Sequence, residues 1–133
     1  MASLVDDSGA EVTLGSGLGS VYVYYLPTYR MRAEERSEHS WQCKIGRTEG
    51  SALDRVLSQA ATALPEKPFL AIVLRTKYPR ALEAALHAVL TLRGLRIEDA
   101  PGSEWFLTSP GEVIALAKLF DPRSYDIGET AAV

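Results

Sequence analysis

Two side chains capable of acid–base chemistry share one predicted helix. Glu83 and His87 stand four residues apart in LEAALH, a spacing that places both on one helix face. The ordinary pKa of an imidazole lies near neutrality, so His87 could transfer protons there. Taken alone, Glu83 would be an exposed carboxylate paired with Arg80, and His87 a histidine bordering an apolar stripe. The pair is the first candidate for a site, and it needs other residues to give it a role.

Three basic residues could contact phosphate, although each alone would be an ordinary surface charge: Lys44, Arg47 and Arg55. The net charge of −3, taken over the whole chain, argues against a nucleic-acid partner, because Lys and Arg dominate phosphate binding. The termini account for that sign: residues 1–11 carry −3 and residues 121–133 carry −2, which leaves +2 for residues 12–120. The central region is therefore compatible with DNA.

Length and composition indicate one soluble domain. A chain of 133 residues can bury a hydrophobic core large enough to fold without disulfide bonds. Its single cysteine, Cys43, excludes an intramolecular disulfide, and a reducing cytoplasm is the expected location. No run of about 18 apolar residues is present, so we expect no membrane span.

The apolar pattern predicts a small sheet. SVYVYYL (20–26) ends at Pro27 and is rich in β-branched and aromatic residues, and WQCKIG (41–46) is a second strand expected to pair antiparallel with it. FLAIVLRT (69–76) is a continuous apolar run, which is typical of a central strand buried on both faces. SEWF (103–106) is a short extended piece, whose Trp105 and Phe106 are expected to pack the last helix of the chain on the sheet. The charged residues 27–40 fit either a short solvated helix or a charged hairpin arm.

Helical periodicity predicts three helices. One runs from Ser51, as N-cap, to about Thr62, a second from Pro79 to about Arg93 with Gly94 ending it, and a third follows Ser109 and Pro110. We expect an α+β domain, a small mixed three-stranded, largely antiparallel sheet flanked by about three helices, over residues 19–120. Residues 1–18 are expected to be a flexible leader, and residues 121–133 a flexible acidic tail.

At this point the chain resembles the GIY-YIG nuclease superfamily, in its phage and bacterial branch with KIG in place of YIG. The signature consists of two short strands, here SVY ending at Tyr22 and KIG from Lys44 to Gly46. Arg55 in LDRVL, Glu83 in LEAALH and the segment GSEWF (102–106), which contains Trp105, follow in the order that the resemblance requires.

The resemblance implies a metal-dependent endonuclease that hydrolyses DNA phosphodiester bonds. Glu83 would bind one Mg²⁺ or Mn²⁺, which needs only one or two carboxylates beside water and phosphate oxygens. Tyr22 would deprotonate or position the nucleophile. The guanidinium of Arg55 would stabilise the negative charge that develops on the phosphate during hydrolysis. Lys44 and Arg47 would contact substrate phosphate, and His87 would assist proton transfer. Gly46 and Trp105 would be structural parts of the signature, while Glu104 is a candidate second acidic ligand.

Two departures from the family pattern keep other functions open. Lys44 replaces the second signature tyrosine, and Gln59 stands where many members carry a histidine. They favour, as an alternative, a catalytically weak nucleic-acid-binding module on the same fold. The acidic and apolar segment DPRSYDIGETAAV (121–133) motivates a protein-interaction domain, accessory to a phage or mobile-element system. With no separate recognition domain, the nuclease is expected to be weakly sequence-selective or to form a homodimer.

Overall fold

One mixed sheet organises the protein. The computed structural model describes residues 12–49, 58, 62, 64–98 and 104–125. The strands in these ranges are β1 (Val12–Gly15), β2 (Gly19–Tyr25), β3 (Trp41–Glu49), β4 (Phe69–Thr76) and β5 (Trp105–Thr108). The helices are α1 (Pro27–Glu35), α2 (Pro79–Leu92), α3 (Pro110–Phe120) and α4 (Pro122–Tyr125). Within the described residues the strand order is β1-β4-β2-β3-β5, and only the β1–β4 pair is parallel.

The α+β class is confirmed, but the predicted three-stranded sheet is wrong, since five strands are present in the described part. The three central strands are those that the apolar pattern predicted. β2 pairs antiparallel with β3, as expected, and every residue of β2 is buried. β4 is buried along almost its whole length, which agrees with its continuous apolar run.

The two additional strands lie at the edges of the sheet. β1 falls inside the segment predicted to be a flexible leader, where it pairs through Val12–Gly15 with Ile72–Arg75 of β4. Only four residues form this strand, and none is fully buried. Such a short edge strand gives no alternating pattern in the sequence, because its pairing depends on a strand far along the chain. β5 corresponds to the predicted extended piece.

The helices begin and end largely where local signals predicted. The side chain of Ser109 accepts from the backbone N–H of Glu112 and so caps α3. Gly94, with φ of 77°, follows the end of α2 as expected. α1 settles the open alternative in favour of a helix, and Ala33 is its buried residue.

A short helix lies within the segment predicted to be the acidic tail. Residues 122–125 form α4, and Tyr125 is buried at 2% exposure. Its ring lies against Gly15, where an added Cβ would come within 2.6 Å of the ring carbon Cε1. The hydroxyl of Tyr125 donates to the carbonyl of Arg75 at 2.7 Å. One aromatic residue therefore joins α4 to the β1–β4 edge of the sheet.

The two faces of the sheet carry separate hydrophobic clusters. Side chains alternate between the faces of a strand, so Val21 and Val23 pack on one face with Leu86 of α2 and Val113 of α3. We call this the helix-side cluster. Tyr22 and Tyr24 point to the opposite face, in what we call the tyrosine cluster. Its other buried members are Leu26, Leu70, Val73 and Trp105.

Some predicted features lie outside the described residues. These are Ser51, Arg55 and Gln59 of the predicted helix 51–62, and Gly102 and Ser103 of GSEWF. Within that helix, Ser58 and Thr62 are described and are helical. In the described ranges no helix combines the length and apolar character that crossing a bilayer requires.

Tyr125→Phe is expected to lower the free energy of unfolding at pH 7 by about 1 kcal/mol, because a hydrogen bond is lost. Burial, the largest cause, raises the pKa of Tyr125 to about 12. A raised pKa stabilises the fold below the unfolded value of about 10, and this stabilisation is lost as the pH rises towards 12. Urea unfolding should therefore show the gap between variant and wild type shrinking over that range.

The matched control is Tyr78→Phe, since Tyr78 is 69% exposed. Its unfolding free energy should stay within about 0.5 kcal/mol of wild type. If Tyr125→Phe lowered the free energy of unfolding by the same amount at pH 7 and at pH 11, the assignment of the raised pKa to Tyr125 would be contradicted.

Candidate active site

A cleft opens where β5 stops covering β3. β5 pairs with Trp41–Lys44 only, and the carbonyl of Glu104 then accepts from the N–H of Ile45 at 3.0 Å. β3 continues to Glu49, so its last residues have no strand beside them among the described residues on that edge. The cleft at this edge has a volume of about 270 Å³. It is lined by Tyr22, Arg47, Thr48, Glu49, Glu83 and Glu104.

Side chains from both faces of the sheet reach this cleft. Residues opposite each other in an antiparallel ladder share a face. Arg47 is opposite Val21, on the face with the helix-side cluster, and Tyr22 is opposite Gly46 on the face with the tyrosine cluster. The site is therefore assembled around the strand edge.

Glu83 is buried although it belongs to a helix with an exposed face. Its relative exposure is 7%, because it follows Leu82 on the face of α2 that packs against the sheet. Arg47 Nη1 lies 2.8 Å from Glu83 Oε1, and His87 Nε2 lies 4.0 Å from Oε2. The alternative interpretation of Glu83, as an exposed carboxylate paired with Arg80, is therefore wrong. A buried carboxylate is stable only with a partner, and Arg47 supplies the charge.

Tyr22 reaches the cleft because residue 46 is a glycine. An added Cβ at Gly46 would come within 2.6 Å of Tyr22 Cζ and still closer to its hydroxyl oxygen. The ring is stacked on Tyr24, with centroids 5.9 Å apart. Gly46 is thus the position that lets the phenol cross β3 towards the open edge, which gives the signature glycine a physical role.

The phenol of Tyr22 is protonated at neutral pH in this cleft. Burial raises the pKa of Tyr22 well above its ordinary value, and the nearby Tyr24, Glu104 and Glu83 raise it further. A protonated phenol can donate to an oxygen or orient a water, but it cannot remove a proton. Of the two roles that the resemblance implied for Tyr22, the raised pKa therefore favours positioning of the nucleophile.

Lys44 and Glu104 form a second ion pair beside Tyr22. Lys44 Nζ lies 3.2 Å from Glu104 Oε1, with side-chain exposures of 19% and 35%. The carboxylate of Glu104 therefore holds Lys44. Glu104 also lines the cleft, and Lys44 is not among the lining residues. The geometry brings Glu104 and Glu83 to the same opening, as the hypothesis of a second acidic ligand required.

His87 is engaged with the backbone. Its Nε2 lies 2.9 Å from the carbonyl oxygen of Ile45. A carbonyl only accepts, so Nε2 carries the hydrogen and donates it. The ring also packs on Phe106, with centroids 4.9 Å apart. A role of His87 in proton transfer would consequently have to use Nδ1, while Nε2 holds β3 against α2.

Trp105 and Phe106 occupy opposite faces of the sheet. Phe106 packs in the helix-side cluster with residues of α3, as predicted. The prediction that Trp105 packs the last helix is wrong, because alternation along β5 places it in the tyrosine cluster. Its ring meets Tyr24 and Tyr29 edge-on at 5.9 and 6.3 Å. Trp105 thus supports the stack that holds Tyr22.

The donor set of the cleft suits a hard divalent cation. Glu83 and Glu104 provide carboxylate oxygens, and Mg²⁺ is commonly bound through one or two carboxylates together with water and phosphate. Within the described residues, no three or more His, Cys, Asp or Glu side chains are grouped to hold a metal ion. A cation in this cleft would therefore depend on water and substrate oxygens for the rest of its coordination.

Comparison with known proteins gives one family. Neither the curated proteins nor the solved structures contain a match to this chain. The model of the T5orf172 domain matches residues 19–121, which include all six residues lining the cleft and most of the chain. The chain belongs to the T5orf172 domain family.

Proposed function

We propose that the protein is a metal-dependent endonuclease that hydrolyses DNA phosphodiester bonds at this cleft, in the manner of GIY-YIG nucleases. The T5orf172 family suggests a nuclease or DNA-binding role, which supports the proposal at the level of the family. The finer claim, a metal-dependent reaction at named residues, rests on the chemistry of the cleft.

The observation that carries the proposal is the charge of the cleft. Three carboxylates, those of Glu49, Glu83 and Glu104, face the guanidinium of Arg47 and the ammonium of Lys44, which pairs with Glu104, so the lining together with Lys44 carries a formal charge of −1. A bare phosphate would be repelled by such a surface. A divalent cation would neutralise the surface and bridge it to phosphate. The lining residues are therefore suited to bind phosphate with a cation present.

The roles of the residues follow from their positions. Glu83, with Glu104 beside the same opening, would hold the ion, whose chemistry is to polarise the phosphoryl group and stabilise the leaving oxygen. Tyr22 would orient the attacking water through its hydroxyl. The β3 edge would admit a nucleic-acid strand, since the described part of the sheet leaves it uncovered. Arg55 keeps the charge-stabilising role that the resemblance implies.

Two measurements on the unaltered protein test this function. Supercoiled plasmid should be nicked with Mg²⁺ or Mn²⁺ and left intact with EDTA. A crystal soaked in Mn²⁺ should show an anomalous peak within about 2.2 Å of a Glu83 carboxylate oxygen. Nicking that persists in EDTA, or a manganese peak only at sites remote from Glu83, would refute the proposal.

A further inference from the structure

A partly buried ion pair occupies one of the two oxygens of the carboxylate that is proposed to hold the cation. Glu83 Oε1 accepts from Arg47 Nη1 at 2.8 Å, and the Glu83 side chain is only 9% exposed. Arg47 is more accessible, with 31% of its side chain exposed, and it lines the same cleft. The carboxylate is therefore fixed by its helix, whereas the guanidinium stands at the opening with space on one side.

A divalent ion at Glu83 would change the balance of charge around Arg47. In the structure the carboxylate attracts the guanidinium at short distance, which is a charge-assisted hydrogen bond. With a 2+ ion bound to the same carboxylate, the guanidinium would face net repulsion from the ion. Arg47 would then be driven towards the nearest available anion, and in a substrate complex that anion is a phosphate.

We propose that Arg47 is an exchangeable counter-ion, which neutralises Glu83 without metal and turns to a phosphate of the nucleic acid when a divalent cation binds Glu83. This inference rests on the proposed function and adds a coupling between two ligands. Metal and DNA each strengthen the binding of the other, because linkage is reciprocal. The geometry makes Arg47 a positioning residue for phosphate. Its guanidinium becomes available to phosphate only when the metal takes its place at Glu83.

The first test measures binding of Mn²⁺ alone to the full chain, from the electron paramagnetic resonance signal of the free ion. Arg47→Gln is expected to bind Mn²⁺ on the order of tenfold more tightly than wild type, because the ion no longer competes with a charge-assisted hydrogen bond. An unchanged or weaker affinity would overturn the inference. Loss of Mn²⁺ binding in Glu83→Gln is the separate control that supports the metal site itself.

The second test measures the binding of a fluorescein-labelled DNA duplex by fluorescence anisotropy, with and without Mn²⁺ at constant ionic strength. Electrophoresis of the DNA afterwards checks that the duplex has kept its length. Wild type should gain affinity on adding Mn²⁺, and Arg47→Gln should gain on the order of tenfold less, because one phosphate contact is missing. Equal gains would overturn the inference and leave the proposed metal site standing.

Two further variants secure the result. Arg93→Gln removes the arginine of the Arg93–Glu112 pair, which joins the other end of α2 to α3, and it should change neither binding constant. If Arg47→Gln unfolds because Glu83 is left unpaired, Arg47→Lys keeps the charge and gives up the fork of the guanidinium. Its Mn²⁺ affinity should then exceed that of wild type by a few-fold, and an affinity equal to wild type would count against the exchange.

Discussion

Glu83→Gln is expected to reduce metal-dependent nicking by at least about a hundredfold. Glutamine has nearly the volume of glutamate, so the packing of α2 on the sheet should survive. Its amide oxygen can still accept from Arg47, but the negative charge that would hold the cation is gone. The measurement is the rate of conversion of supercoiled plasmid to the nicked circle at saturating Mg²⁺ or Mn²⁺, with thermal unfolding recorded alongside.

The same replacement in a second Arg–Glu pair is the control. Glu112 pairs with Arg93 at 3.3 Å, near the end of α2 that lies ten residues, or about 15 Å, from Glu83. Glu112→Gln should therefore leave the rate of nicking within about twofold of wild type, with at most a small loss of stability. Nicking at the wild-type rate by Glu83→Gln would remove the basis of the proposed function.

Gly46→Val is expected to lower the free energy of unfolding by about 3 kcal/mol, which is towards the upper end of the cost of overpacking. The backbone at Gly46 does not have a positive φ, so the expected cost comes from the side chain. Any Cβ meets the ring of Tyr22, and the stack with Tyr24 and the packing of Trp105 restrict the movement of that ring. Urea unfolding at pH 7 measures the effect, and nicking should fall with it.

A double-mutant cycle identifies the cause. In a Tyr22→Ala background the ring is absent, so Gly46→Val should cost much less than in the wild-type protein. Gly111→Ala provides the reference for adding a methyl group where space exists, because a Cβ there has no neighbour within 4 Å. It should be neutral or slightly stabilising, since alanine is favoured in helices. An equal cost of Gly46→Val in both backgrounds would show that Tyr22 is not the obstacle.

The parts of the fold that the sequence predicted are those with a strong local signal. β2, β3 and β4 carry aromatic and β-branched runs, and the leucines of α2 recur at helical spacing. β1 and α4 lacked such signals, because each is four residues long and depends on a partner elsewhere. α1 could not be assigned from its pattern, since it mixes charges of both signs and buries Ala33 only.

The sequence predicted the residues of the candidate site better than the hydrogen bonds and ion pairs that join them. Tyr22, Glu83 and Glu104 were named from a pattern, and the structure brings all three to one cleft. The pairing of Arg47 with Glu83, and of His87 with the carbonyl of Ile45, depends on where β5 ends along β3 and on how α2 docks. Those are tertiary facts without a local sequence signal. The one sequence feature that pointed to the ion pair was a basic residue, Arg47, near the end of a predicted strand, together with a carboxylate, Glu83, on a predicted helix.

The division of the core between two faces has a consequence for how the protein can vary. The phenol of Tyr22 is supported by the tyrosine cluster and the carboxylate of Glu83 by the helix-side cluster, with the sheet between them. Each half of the cleft can therefore adjust to substitutions in its own cluster while the other half keeps its position. Related chains could diverge in sequence on one side of the sheet without losing the geometry on the other, provided that residue 46 stays a glycine.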